Sequence, residues 1–455
     1  MKKINETYAA FVRENFEQSV VDGSLVKRYM DASTAVYHGT PQPCLYMPKI
    51  FSRQAWKFLQ AAAADIHRIL EKVIARYIDD AKYRRLFAFE AELEKLILSD
   101  AGYSRLLPIA RLDIFFNEDD FSFKFCEFNA DGASAMNEDR AINNALRLSD
   151  VFAKFAAEHD LRSCELFDSW VFEFGRILGT IDRKKFFVAI VDFLDGAIGN
   201  EFILFRDTFR RAGFDCEICE IRSLVYEVGE LRTASGVRID AIYRRAVTCD
   251  IMRQRDEVRP FLQATLDGAV YVVGHFRTQV IHNKIIFEIL RREETLAFLT
   301  ADEREFVLRH VPETFPLVRG AFDLDDVLRN KNDWIIKPED SYAARGVFAG
   351  VDMDSDAWAA AVKDATDSDS SDSNSQKSER FSRSGYLLQK YCPPYRTENL
   401  DFNASECPEF QTYNNITGMY VYSGNLAGLY SRAGLAGVIS GGTSGLTMAS
   451  VVEGE

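Results

Sequence analysis

Apolar residues recur at three- and four-residue spacings through residues 53–99 (Trp56, Leu59, Ile66, Leu70, Val73, Ile74, Ile78), with no Gly or Pro between them. That period predicts a mostly helical first hundred residues. The pattern then changes to alternation. RLDIFF and FSFKFCEFN are Phe-rich runs separated by the turn-forming NEDD, which predicts a β-hairpin. Helices are expected over 139–158 and 166–179.

From Lys184 the apolar runs KKFFVAIVDFL, FDCEICEI, VRIDAIYRRAV and GAVYVVG read as strands, alternating with helices over 200–212 and near 257–266. Such alternation predicts a parallel or mostly parallel, Rossmann-like sheet. In the last third, helices near 283–292 and 301–311 lead to the strand DWIIKP, a loop, the short strand GVFAG and a helix from Ser355. DATDSDSSDSNSQKSERFSRS has too little apolar surface to bury, so a disordered insert is expected over 364–384. Order resumes at GYLLQKY, followed by a hairpin through YSGN and the glycine-rich GVISGGTSG. The expected fold class is α/β, with α+β parts, in three regions: 1–180, 181–280 and 281–455.

Composition narrows the function classes. The chain has 455 residues, room for two or three domains, and a formal net charge of −14. An acidic surface argues against a nucleic-acid partner, which needs a basic one. No run of about 18 apolar residues occurs, so no membrane span is expected. MKKINETYAAFVRENFEQ reads as an amphipathic helix rather than a signal peptide. The 8 cysteines are scattered, which points to the reducing cytoplasm. Cys216 and Cys219 form a lone CxxC inside an alternating strand, read as structural. The six histidines show no ligand spacing, so no zinc is expected, and neither a GxGxxG fingerprint nor a GxSxG elbow is present.

The richest candidate chemistry lies in the first hairpin. Alternation puts Arg111 and Asp113 on one face of its first strand, and Glu127 and Asn129 on one face of its second. A hairpin centred on Asp120 sets Asp113 opposite Glu127 and Arg111 opposite Asn129, with Cβ atoms about 4.5–5.5 Å apart. Two carboxylates and an amide oxygen that close suit Mg²⁺; without a cation they repel unless one takes up a proton. The alternative is a solvated face with an Arg–Glu pair.

Further along, Lys337 ends an apolar strand before a polar loop containing Ser341, Ala344 and Gly346, a layout that suits either a phosphate-covering lid or a charged turn. YLLQKYCPP stops at Gln389, Lys390 and Tyr391 before two prolines, as a nucleotide hinge or an edge strand would. Lys284 opens a helix. Arg244, Arg245 and Arg432 are each either anion contacts or ordinary surface ion pairs.

Taken in this order, ARLDIFF, CEFNAD, NDWIIKP, YAARGVF and LLQKY resemble the circularly permuted ATP-grasp proteins, in particular the synthetase domain of glutathionylspermidine synthases. In ordinary ATP-grasp enzymes the Asp and Glu-x-Asn segments follow the lid; here they precede it. The resemblance implies a nucleotide-binding region at 281–455 behind a Rossmann-like region at 181–280. It implies Asp113, Glu127 and Asn129 as Mg²⁺ ligands and Arg111 as the residue stabilising a transferring phosphoryl group. It implies Lys284 and Lys337 on the phosphates of ATP, Ser341, Ala344 and Gly346 in the lid, and Gln389, Lys390 and Tyr391 at the adenine hinge. The implied reaction joins a carboxylate to an amine, a polyamine in the named family, through an acyl phosphate. A non-catalytic nucleotide-binding module and a small-molecule kinase are the competing classes. The lid departs from the family in having Tyr342, Ala343 and Ala344 where glycines are usual, and residues 1–180 carry no Cys/His pattern of the accompanying amidase.

Overall fold

A computed structural model describes residues 1–37, 39–179, 186–195, 199–318, 320–341, 344–367, 385–439 and 445–454. The long amphipathic helix is α1 (Arg53–Asp79), opened by Ser52, whose hydroxyl accepts the Ala55 N–H. Its apolar face, including Leu59, Ile66, Leu70 and Val73, is fully buried. The hairpin follows as β1 (Ile109–Phe116) and β2 (Phe123–Asn129). The helix expected over 139–158 is instead two, α2 (Met136–Leu146) and α3 (Asp150–His159). Ser149 separates them: its hydroxyl accepts the Phe152 N–H at 3.0 Å and donates to buried Asp22 at 2.8 Å, so a helix start is favoured there.

The Rossmann-like region contains β3 (Phe187–Asp192), α4 (Asn200–Arg211), β4 (Asp215–Glu220), β5 (Ala241–Arg244) and β6 (Tyr271–Val273). All pairings in this sheet are parallel, in the order β6-β5-β3-β4, as the alternation predicts. Cys216 and Cys219 fall in different apolar clusters on either side of β4, which leaves no CxxC pair to bind metal.

A second, antiparallel sheet of four strands combines β7 (Thr314–Pro316), β8 (Trp334–Pro338), β9 (Phe348–Ala349) and β10 (Tyr386–Lys390), in the order β7-β10-β8-β9. The insert predicted at 364–384 begins inside the helix Ser355–Asp367, so its first residues are helical; the rest lies outside the described residues. The chain closes with β11 (Arg396–Asn399), β12 (Gln411–Tyr422), β13 (Asn425–Gly434) and β14 (Leu446–Met448). Residues 440–444 of the glycine-rich loop also lie outside the described residues. The YSGN turn joins β12 to β13, with Ser423 and Gly424 both at positive φ as a tight hairpin requires.

These last strands do not stand alone. β12 pairs antiparallel with β1, so the largest sheet runs β14-β13-β12-β1-β2 and joins the 109–129 hairpin to strands from residues 411–448. Its core face carries Ala110, Leu112, Ile114 and Phe116 from β1 and Phe123, Phe125 and Phe128 from β2, against α1. The spacing along β2 is two residues and then three. A bulge at Cys126 accounts for it: Ile114 pairs with Phe125, but Asp113 pairs with Glu127. Among the described residues no helix is long and apolar enough to cross a membrane.

The phenylalanine-rich hairpin is therefore a core element. Phe128 is 1% exposed and stacks on Phe287 with centroids 4.7 Å apart. Phe128→Ala is expected to cost about 3–5 kcal/mol of stability, measured by chemical denaturation with the transition remaining cooperative.

Candidate functional site

On the opposite face of the β1–β2 hairpin the alternation delivers Arg111, Asp113, Glu127 and Asn129. Arg111 pairs with Asn129 and Asp113 with Glu127, the register expected from the sequence. The β1 half of this face is buried and the β2 half, Glu127 and Asn129, half-buried. Asp113 is 1% exposed and Arg111 8%. The ion pair that forms is also not the Arg–Glu pair of the alternative reading: Arg111 Nε donates to Asp113 Oδ1 at 2.9 Å, and Arg432 donates to Asp113 Oδ2 at 2.5 Å. Asn129 Nδ2 lies 3.4 Å from the same Oδ2.

Arg432 comes from β13, two strands away, and reaches Asp113 across β12. Gly418 gives Asp113 and Arg111 room over β12. It pairs with Asp113 on one side and Tyr430 on the other. A Cβ there would lie 2.8 Å from Asp113 Oδ1 and 2.9 Å from Arg111 Cδ, closer than side chains pack. The glycine is required for the approach of neighbouring side chains over it.

Glu127 is neutralised separately. Lys284, just before the helix Ile286–Arg291, places Nζ 2.8 Å from Glu127 Oε1 and 2.6 Å from the Ser341 carbonyl. Burial alone would raise the Glu127 carboxyl; Lys284, with Lys337 and His282 behind it, outweighs burial and holds it at about 2. Repulsion between the opposed carboxylates is thus relieved by the protein's own cations, rather than by a proton. Lys337 of β8 donates to the carbonyl of the bulged Cys126 at 3.0 Å and to Gln389 Oε1 at 2.8 Å. Gln389 Nε2 in turn donates to Thr314.

These groups enclose a cavity of about 410 Å³, within the range of small-molecule sites. Arg111, Asp113, Glu127, Asn129, Lys284, Lys337, Ser341, Ala344, Gln389, Lys390 and Tyr391 all line it. Gly346 does not; at φ +73° it turns the loop back against Pro338 and Tyr386. Ala344 holds a left-handed φ of +56°, a conformation that favours glycine, while Tyr342 and Ala343 lie outside the described residues. At the expected hinge, the Lys390 and Tyr391 N–H groups already donate to the Glu313 and Asp333 carbonyls, each at 2.8 Å. The Lys390 ammonium sits 3.8 Å from the centre of the Trp334 ring.

Sequence reasoning did not place Arg432 in this site, nor did it find Asp131, Glu138, His282 or Tyr430, which also line the cavity. Gly418 inside an apolar strand was the available signal for the Arg432 contact. Arg244 and Arg245 are not surface pairs: Arg244 lies 2.5 Å from Asp131 and Arg245 2.7 Å from Glu201, both arginines buried.

The donor set fits a hard divalent cation. Two opposed carboxylates share one cavity with an amide side chain, and Glu127 stays ionised far below neutral pH. Among the described residues no cluster of three or more His, Cys, Asp or Glu is gathered.

Two outcomes follow from this geometry. Gly418→Ala is expected to destabilise the protein by about 1–3 kcal/mol through overpacking, read as a lower melting temperature. Because the folded Glu127 carboxyl lies below its usual value, its ion pair contributes stability above about pH 4.5 that is lost as pH falls toward 2. In the presence of a chelator, the melting-temperature difference between wild type and Glu127→Gln should shrink across that window and be constant above it.

No protein-family model and no curated protein matches the chain. Among solved structures, a glutathione synthetase-like effector (GSS30) from Globodera pallida, in its apo form, is similar over 97% of this chain and 97% of its own. The two share 12% identity with a TM-score of 0.57, so the likeness is one of fold: a mixed α/β architecture common to both chains end to end.

Proposed function

We propose that the cavity binds ATP with Mg²⁺ and that the protein is an ATP-grasp-type carboxylate–amine ligase. The observation that carries this reading is the opposed Asp113–Glu127 pair in a cavity walled by Arg111, Arg432, Lys284 and Lys337. The glutathione synthetase-like name of the structural neighbour supports it, as does the order of the motifs along the chain.

In this reading Asp113, Glu127 and Asn129 hold Mg²⁺. When bound, the ion neutralises phosphate charge and orients the nucleotide. Lys284 and Lys337 leave their present partners, Glu127 and Gln389, for phosphate oxygens. Arg111, fixed by Asp113 and by the Ser134 carbonyl at 2.7 Å, presents a pre-oriented guanidinium to the transferring phosphoryl group. Ser341 and Ala344 cover the phosphates and limit water. Gln389 and Tyr391 line the wall for the base. A carboxylate oxygen attacks the γ-phosphorus and ADP leaves; the neutral amine nitrogen then forms the C–N bond to the acyl carbon as phosphate departs, and the proton lost from nitrogen leaves with the phosphate. The substrates are a carboxylate and an amine.

The hydrogen-bonded hinge N–H groups and the left-handed Ala344 favour a second reading, nucleotide binding without ligation. One experiment separates the two. ADP release and product mass are followed with pooled carboxylates and amines. Ligation predicts an amide product, with release reduced at least ~100-fold in Asp113→Asn and in Glu127→Gln. Nucleotide binding with no product from any pool supports the binding module, and a stable phosphorylated product a kinase. Wild-type turnover in either variant contradicts the metal assignment.

A further inference from the structure

Four carboxylates line the cavity: Asp113, Glu127, Asp131 and Glu138. Three are matched by a cation. Arg111 and Arg432 hold Asp113, Lys284 holds Glu127, and Arg244 holds Asp131. Among the described residues, Glu138 forms no ion pair and accepts no side-chain hydrogen bond, while its neighbour Glu201 is already engaged by Arg245 at 2.7 Å.

The wall carrying Glu138 is nevertheless firmly built. Ala135, at φ +81°, turns the chain into α2, and Glu138 lies in its first turn. The Ser134 carbonyl beneath it accepts from Arg111 at 2.7 Å and from the Tyr420 hydroxyl at 2.5 Å. Glu201 of α4, Arg245 after β5, Arg111 of β1 and Tyr430 of β13 face this carboxyl. Burial, and then Glu201, lift it to about 7. A half-buried carboxylate without a partner is costly, and a positive ligand group relieves that cost. The wall belongs to α2 and the largest sheet, separate from the four-stranded sheet that carries Lys337 and Gln389.

We infer that Glu138 is the binding contact for an ammonium group of the amine substrate other than the nitrogen that reacts. This rests on the ligase reading above for the identity of the ligand. The site is the one of the four lining carboxylates with no cation of its own among the described residues, so it selects a cationic ligand group over a neutral one of the same shape.

The test is calorimetric titration of the full chain, loaded with Mg²⁺ and a non-hydrolysable ATP analogue, with 1,4-diaminobutane and propylamine, and with 1-propanol as the neutral control. Wild type is expected to favour the amines over propanol by roughly tenfold or more, the worth of a charge-assisted hydrogen bond. Glu138→Gln should remove that preference while its analogue affinity stays unchanged; its melting temperature reports that it folds, and Glu138→Asp should retain part of the preference. Equal amine affinity in wild type and Glu138→Gln overturns the inference, as does a wild type that does not distinguish amine from alcohol. Analogue binding without amine preference sinks this inference alone. Amine preference lost in Glu138→Gln, with no analogue binding in wild type, sinks the ligase reading alone.

Discussion

Two carboxylates set opposite each other on adjacent strands, in a buried cavity, demand positive charge. Asp113 and Glu127 are so placed, and much of the architecture supplies that charge. Arg111 comes from the same strand as Asp113, but Lys284 comes from the start of a distant helix. Arg432 lies 319 residues along the chain from Asp113. The pairing of β12 with β1 brings that arginine within reach, and Gly418 leaves the space that the Asp113 and Arg111 side chains fill. Removing one partner of such a buried pair costs far more than the pair contributes, because a charge is left unmatched.

The same constraint connects core to site. β2 must present Phe123, Phe125 and Phe128 to α1 and still turn Glu127 and Asn129 toward the cavity. A strictly alternating strand cannot do both. The bulge at Cys126 shifts the phase by one residue, and the carbonyl of that residue accepts from Lys337. A single backbone irregularity thus reconciles hydrophobic packing with the chemistry and ties the hairpin to the four-stranded sheet.

Much of this was legible in the sequence where the signal was local. The opposition of Asp113 and Glu127, the parallel sheet and the structural nature of Cys216 and Cys219 follow from alternation and spacing. Every proposed site residue except Gly346 lines the one cavity. Gly346 lies outside the cavity lining, where it serves the loop's own turn against Pro338. What was not legible is mostly non-local. No periodicity shows that β12 joins β1, that Arg432 meets Asp113, or that Arg244 and Arg245 are buried against Asp131 and Glu201. The break between α2 and α3 was local, but Ser149 reads as a helix start only once Asp22 and Phe152 are seen around it. The step of three between Phe125 and Phe128 did record the bulge, as a phase slip in an otherwise alternating run.

The central claim is that this charged cavity exchanges its internal ion pairs and hydrogen bonds for a nucleotide and a divalent cation. Titration of the wild-type protein with a non-hydrolysable ATP analogue, in Mg²⁺ and again in chelator, tests it most directly. The account predicts binding in Mg²⁺ and a loss of roughly tenfold or more in chelator, since the phosphates and the two carboxylates share one cation. Equal affinity in the two conditions, or no binding in either, would contradict it.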